Sequence, residues 1–463
     1  MALAPTLEAV PAVGIELTEW DGTGPTKDCR LKALSLAGDV AAQIRAKALR
    51  GRLDIRESYD GLEISTKSFV GRVDVGPLRI VVRPKLPTLP LTRLLRYAYG
   101  LRDLGAPLDE TEAPTTRHGL HDILVALLLA EAGELLHRGL ARQYVPRVET
   151  LDSPRGRILM KDLARQGGVT QARLPCRHVE RRADWTLNQV LRAGLDMAVE
   201  ITADTDLRHR AHRLAARFDG VAARGGLVSS ALDRAEQKLT RLTAVYAPAL
   251  GIIRLLLDAQ GMAFESSGQV RRVPGFLFDM NLFFQRLLSR FLHDHLPVGQ
   301  RIEDERSVRG VFAYTPDANP LKRAAPSVRP DYALLQKGTL VRFLDAKYRD
   351  TWNRGCPAEW LYQLSTYALA SPDRVSVLLY ATMADNASDE RIEVRPAVSW
   401  SGQPSATIVL RPVALSELAQ LVGPSAKTMP SLKQRQYASE LVSVGVEKSH
   451  SSLQRQGKTC IYP

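Results

Sequence analysis

Asp345 and Lys347 stand two residues apart in Leu340-Val341-Arg342-Phe343-Leu344-Asp345-Ala346-Lys347-Tyr348, and Asp331 precedes them in Arg329-Pro330-Asp331-Tyr332-Ala333-Leu334-Leu335. The two apolar runs flank Gln336-Lys337-Gly338-Thr339, a β-hairpin pattern. Strand side chains alternate faces, so Asp345 and Lys347 share one face and Ala346 takes the other. A three-residue loop, Gln336-Lys337-Gly338 with Gly338 left-handed, sets Leu335 against Thr339 and Asp331 against Phe343. Asp331 then joins the face of Asp345 and Lys347. Two carboxylates and an ammonium are the parts that metal-assisted phosphodiester hydrolysis uses. Mg²⁺ binds through one or two carboxylates with water and substrate phosphate. The metal acidifies a bound water and offsets phosphate charge, and a nearby ammonium orients that water or stabilises the developing charge.

Asp and Lys at this spacing are common as solvated surface pairs, so their surroundings carry the weight. Val341, Phe343 and Leu344 make the approach to Asp345 apolar, as in a buried strand, and Pro330 holds the chain extended into Asp331. Downstream, Glu359 to Leu369 has helical spacing that puts Gln363 and Tyr367 one turn apart on one face, within reach of a phosphate or the lysine.

Pro330-Asp331, Asp345-Ala346-Lys347 and Gln363-x-x-x-Tyr367 together resemble the PD-(D/E)xK nuclease superfamily, in the branch with a Q-x-x-x-Y helix. Within it the chain resembles the McrC family, the nuclease subunit of McrBC-type, modified-cytosine-dependent restriction systems. Val81-Val82-Arg83-Pro84-Lys85-Leu86, Arg138-Gly139-Leu140 with Tyr144, Arg155-Gly156-Arg157-Ile158 and the run Phe276 to Phe284 are similar to that family too, and the likeness reaches to about Leu421. One departure is Gln285, where such proteins carry an acidic residue after the Phe pair; a neutral amide adds no charge, which bears on metal affinity.

The resemblance implies a Mg²⁺-dependent endonuclease, with Mn²⁺ as an alternative ion, acting on double-stranded DNA beside a McrB-like AAA+ GTPase that reads the modified DNA. Asp331 and Asp345, with the Ala346 carbonyl, would bind metal. Lys347 would handle the attacking water, and Gln363, Tyr367 and Gln285 would position the site or the DNA backbone. Two rivals are a repair exonuclease of the same superfamily and a non-catalytic adaptor that activates the GTPase. No G-x-x-x-x-G-K-S/T loop occurs, so nucleotide hydrolysis falls to a partner.

The elements that must carry these residues suggest an α/β protein. A β-rich partner-docking domain is expected over 1–104, a helical, arginine-rich middle region over 105–270, a PD-(D/E)xK restriction-endonuclease-like domain of mixed sheet flanked by helices over 271–422, and a flexible tail over 423–463. In the third domain a helix from Asp279 to His293 packs Leu282, Phe283, Leu287 and Leu288 inward. The net charge of +13 favours a polyanionic partner. Cys29, Cys176, Cys356 and Cys460 form no C-x-x-C pair or disulfide framework. The longest apolar stretch, Ile123 to Ala130, is too short for a bilayer and no signal-peptide pattern opens the chain, so a cytoplasmic location without membrane contact is expected.

Overall fold

The computed structural model describes residues 13–101, 119–169, 172–202, 204–222, 227–259, 263–266, 269–272, 275–315, 317–395, 404–423 and 431–444. They fall into two compact units, one of Met1–Leu288, Lys347–Asp350 and Ala414–Ser425, the other of Ser289–Ala346, Thr351–Val413 and Ala426–Pro463. The expected first and second domains thus share one unit.

The first unit begins with a mixed sheet. Strand Val13–Thr18 lies parallel to Leu78–Arg83, which is antiparallel to Phe69–Val75, which is antiparallel in turn to Gly275–Asp279. Ile15, Val73, Val75, Leu78 and Ile80 alternate into its core. Residues 275–279 were expected within the nuclease domain; instead they form the last strand of this sheet. Gly71 makes the pairing possible, because a Cβ there would lie 1.9 Å from the Phe276 carbonyl oxygen. A smaller sheet orders Gly22–Thr23, Gly61–Thr66 and Leu53–Ser58.

Helices Leu120–Arg138, Thr186–Ile201, Thr205–Ala216, Ser229–Gln237 and Ala247–Ala259 follow. The first is buried from Leu120 through Leu129, and over Ile123–Leu129 its surface is apolar on every side. Between it and the second stands a three-stranded sheet, Gln143–Leu151, Leu174–Arg182 and Arg157–Ile158, within the region expected to be helical. Its strands contain Pro146 and many Arg and Glu, and only Pro175 and Cys176 among them are buried, so no period-two apolar pattern announces them. The helix Met280–His295 buries Met280, Phe283, Phe284, Leu287, Leu288, Phe291 and Leu292, a three-four stripe that leaves Leu282 53% exposed, contrary to the expected packing.

The second unit is built on a six-stranded sheet in the order Gln300–Asp304, Tyr332–Gln336, Thr339–Lys347, Val375–Thr382, Ala406–Ala414, Glu390–Val394. Helix Ala358–Ala370 joins the third and fourth of these strands and sends Leu364 and Tyr367 into a core with Ala333, Leu335, Phe343, Leu378, Tyr380, Ile408 and Leu410.

The hairpin turns more tightly than expected. Gln336 pairs with Thr339 across a two-residue turn in which Lys337 (φ 50°) and Gly338 (φ 84°) are both left-handed. An even turn alone would set Asp331 opposite Leu344 and on the wrong face. The ladder shifts between Leu334 and Leu335, so that Leu335 pairs with Leu340 but Leu334 with Arg342, leaving Val341 as the extra residue of a bulge. From there Tyr332 pairs with Leu344.

The tail expected to be flexible holds the helix Leu432–Val442, opened by a capping box in which Ser431 and Gln434 bond each other's backbone amides. Ala438, Leu441 and Val442 bury at helical spacing, which makes the helix amphipathic rather than unstructured. Arg411 closes its other end, bonding the Glu440 and Ser443 carbonyls and ion-pairing with Asp389, while Arg342 bonds the Val442 carbonyl at 3.1 Å. The remainder of 423–463 beyond residues 423 and 431–444 lies outside the described residues.

Candidate active site

Asp331 stands in a bend just before the strand Tyr332–Gln336, and the register continued one residue past the Tyr332–Leu344 pair would bring it across from Asp345. Directly opposed residues of antiparallel strands share a face with their Cβ atoms about 4.5–5.5 Å apart. A hydrogen bond fixes the arrangement: Asp331 Oδ2 accepts the Ala346 amide at 2.7 Å. Pro330 is buried and the Asp331 carbonyl accepts the Glu305 amide at 2.8 Å, so the first carboxylate is held from both sides of its strand. Asp345 is 2% exposed. Lys347 ends the same strand, half-buried, on the face of Asp345 by alternation.

The field around these groups is negative. The Tyr332 hydroxyl is pushed well above its ordinary pKa chiefly by burial, then by the charges of Asp331, Asp304 and Asp345, so it stays protonated.

Gln363 and Tyr367 form a relay toward the first carboxylate. Gln363 Nε2 donates to the Tyr367 hydroxyl at 2.8 Å, and that hydroxyl donates to the Arg329 carbonyl at 3.2 Å, two residues before Asp331. Tyr367 is 3% exposed and packs on Phe343, so it acts on the backbone leading into the site, while Gln363 faces solvent. Gln285, half-buried, belongs to the first unit, one turn beyond Asn281 on the helix Met280–His295.

The residue after Lys347 is held by groups that the motifs did not single out. Asn281 Oδ1 accepts the Tyr348 amide at 2.8 Å, the Trp20 indole donates to the Tyr348 carbonyl at 2.9 Å, and the Tyr348 hydroxyl donates to Glu19 Oε1 at 3.1 Å. Asn281 lay inside a family-like run without a role, and nothing in the sequence marked Glu19 or Trp20.

Among the described residues no group of three or more His, Cys, Asp or Glu could hold a metal ion. The donors that such an ion would use are the carboxylates of Asp331 and Asp345 and the Ala346 carbonyl. This is too few ligands for a closed protein cage but matches what Mg²⁺ asks of a protein when water and phosphate complete its shell. The residues fit that ion.

A family model described as "McrBC 5-methylcytosine restriction system component" matches residues 64–381. The chain belongs to that family. Its motifs pointed the same way. The fold of this McrBC family member is similar to that of a chain in the refined half-complex of Thermococcus gammatolerans McrB AAA+ hexamers with bound McrC, at a TM-score of 0.55 and 20% identity, over 88% of this chain and 99% of that one. A chain of the cryo-EM structure of the Thermococcus gammatolerans McrBC complex matches at a TM-score of 0.43 and 20% identity, over 60% and 87% of the two chains. No curated protein matches the McrBC family member described here. None of its described helices is long and apolar enough to cross a membrane.

Proposed function

We propose that this McrBC system component is the DNA-cleaving, McrC-type subunit, a Mg²⁺-dependent endonuclease of the PD-(D/E)xK kind that works with an AAA+ GTPase partner reading modified DNA. The observation that carries the reading is the Asp331 carboxylate tied to the amide of Ala346, the residue between Asp345 and Lys347. The order of elements supports it: helix Met280–His295, three antiparallel-linked strands, helix Ala358–Ala370 and strand Val375–Thr382, the helix, hairpin and helix expected of that core.

Asp331, Asp345 and the Ala346 carbonyl would hold the ion. When bound, Mg²⁺ acidifies water and offsets charge on the scissile phosphate. Lys347 keeps the attacking water oriented and its ammonium stabilises charge as the new P–O bond forms and the bond to the leaving sugar oxygen breaks. The bonds from Ala346 and Glu305 hold Asp331 in place, and the Gln363–Tyr367–Arg329 relay fixes the segment that delivers it. Cytoplasmic action fits the same role.

The test is reconstitution with an McrB-type AAA+ GTPase from the same source, on DNA with and without modified cytosine. Cleavage that needs the partner, GTP and Mg²⁺ supports the reading. An assembled complex that never cuts at any Mg²⁺ or Mn²⁺ concentration, and whose biological effect survives Asp345→Ala, replaces it with an adaptor. Cleavage from DNA ends without any GTPase replaces it with a repair exonuclease.

A further inference from the structure

Lys347 is the last residue of its strand, and the amide of the peptide that joins it to Tyr348 is bonded by a side chain from elsewhere in the chain. Asn281 takes that role, its Oδ1 accepting the Tyr348 amide at 2.8 Å. The next peptide is fixed by Trp20, whose indole donates to the Tyr348 carbonyl at 2.9 Å, and the phenol by Glu19 Oε1 at 3.1 Å. The holders are themselves held. Asn281 Nδ2 donates to the Ser68 hydroxyl at 3.0 Å, and Glu19 Oε1 also accepts the Lys85 amide at 2.9 Å. Arg349 lies over the Trp20 ring, 5.3 Å from its centroid, and Phe284 meets the Tyr348 ring edge-on at 6.0 Å. Glu19 is 0% and Tyr348 5% exposed. Burying a carboxylate is expensive, and a strand that simply ends can leave its polar groups to water.

We infer that Asn281, Trp20 and Glu19 are positioning residues for Lys347. Fixing the plane of the peptide after Lys347 fixes that residue's ψ, and with it the direction in which the side chain leaves the backbone; the two bonds on Tyr348 keep the plane from rocking. All of these residues, Lys347 included, belong to the first compact unit. The inference rests on the proposed role of Lys347 in cleavage. The amine's orientation is thereby set by parts of the chain remote in sequence from the carboxylates: Trp20 and Tyr348 are separated by 328 positions, Asn281 and Tyr348 by 67.

Asn281→Ala, Asn281→Asp, Tyr348→Phe, Glu19→Ala and Glu19→Gln are compared with wild type by two measurements. The first is kcat and KM for DNA cleavage by the full-length chain assembled with its GTPase partner. The second is the pH dependence of reductive methylation of Lys347 in the full-length chain alone, read by peptide mass spectrometry. Displacement of a reacting group by an ångström costs about 100-fold. Asn281→Ala and Glu19→Ala should therefore lower kcat by about that factor with KM little changed, and should alter the Lys347 methylation profile. Asn281→Asp and Glu19→Gln, which keep the accepting oxygen, should recover most of both. Should Asn281→Ala melt early, Tyr348→Phe, which removes one oxygen, decides in its place. Variants that melt like wild type yet leave kcat and methylation unchanged overturn the inference. A wild-type complex that never cuts defeats the nuclease reading instead, and the methylation profiles still decide whether these residues orient Lys347.

Discussion

Asp331 Oδ2 takes the Ala346 amide at 2.7 Å, so one carboxylate is bonded to the backbone that lies between the other carboxylate and the lysine. The bond ties Asp331 to the strand that carries Asp345. Asp345→Ala removes a buried carboxylate proposed to bind the metal and should lower cleavage by roughly two to three orders of magnitude. Fluorescence anisotropy should show DNA binding by the complex largely retained. Loss of binding in parallel with cleavage would mean that Asp345 serves the fold.

Tyr367→Phe keeps the ring against Phe343 and deletes the hydroxyl that joins Gln363 to the Arg329 carbonyl. One net hydrogen bond is worth about 1 kcal/mol, so the denaturation midpoint should fall modestly. Cleavage should fall about tenfold or more, because Arg329 leads directly into Asp331 and misplacement by an ångström costs about 100-fold. Equal activity in the two proteins would show that Pro330 and the sheet suffice to place the carboxylate.

Arg411→Ala should be far more costly. The guanidinium is nearly buried, pairs with Asp389 and closes the helix Leu432–Val442 through two carbonyls. Breaking a buried pair from one side typically costs about 3–5 kcal/mol. Asp389 is partly exposed, so the lower end applies. Denaturant unfolding measures it, and removal of residues from Ser431 onward should have a comparable effect. A truncated chain as stable as the whole would restore the dispensable tail.

Glu19 sets a pH dependence. Burial raises its pKa from 4.5 to about 7 against the lowering effect of its bonds to Lys85 and Tyr348 and of the Lys85 charge. The fold binds the proton more tightly than the unfolded chain does. The stability linked to Glu19 is therefore full below about pH 4.5 and is lost as pH rises through about 7. The shift corresponds to about 3 kcal/mol across that window. Unfolding of wild type, referred to Glu19→Gln at each pH, should decline by that order between pH 4.5 and 8. A constant difference would place the Glu19 pKa near its ordinary value.

The hairpin shows how far sequence reading reaches. Alternation alone put Asp345 and Lys347 on one face, and the apolar approach told that the strand is buried. The turn was read as three residues when it is two with a bulge at Val341, and the two solutions bring Asp331 to the same face. Bulges have no composition of their own, since they answer to packing and ladder geometry. The basic sheet over 143–182 stayed hidden because its strands lack an apolar face, and Leu282 misled because hydrophobicity was read ahead of the three-four stripe. The hold of Glu19, Trp20 and Asn281 on Tyr348 was not legible at all. Each is a single polar residue whose partner is remote in the chain, a relation no window along the sequence contains.

The strand Gly275–Asp279 forms the edge of a sheet begun at Val13, and the same unit takes in residues 347–350 and the helix Leu415–Leu421. During translation the first half of the chain therefore emerges without its own completion. Its sheet waits with the flank of Phe69–Val75 uncovered until Gly275–Asp279 leaves the ribosome, and the helix Leu415–Leu421 arrives later still. Non-local closure of this sort is slow and exposes unpaired edges meanwhile. Such a protein should depend on chaperones at birth, and its N-terminal half, expressed by itself, should aggregate.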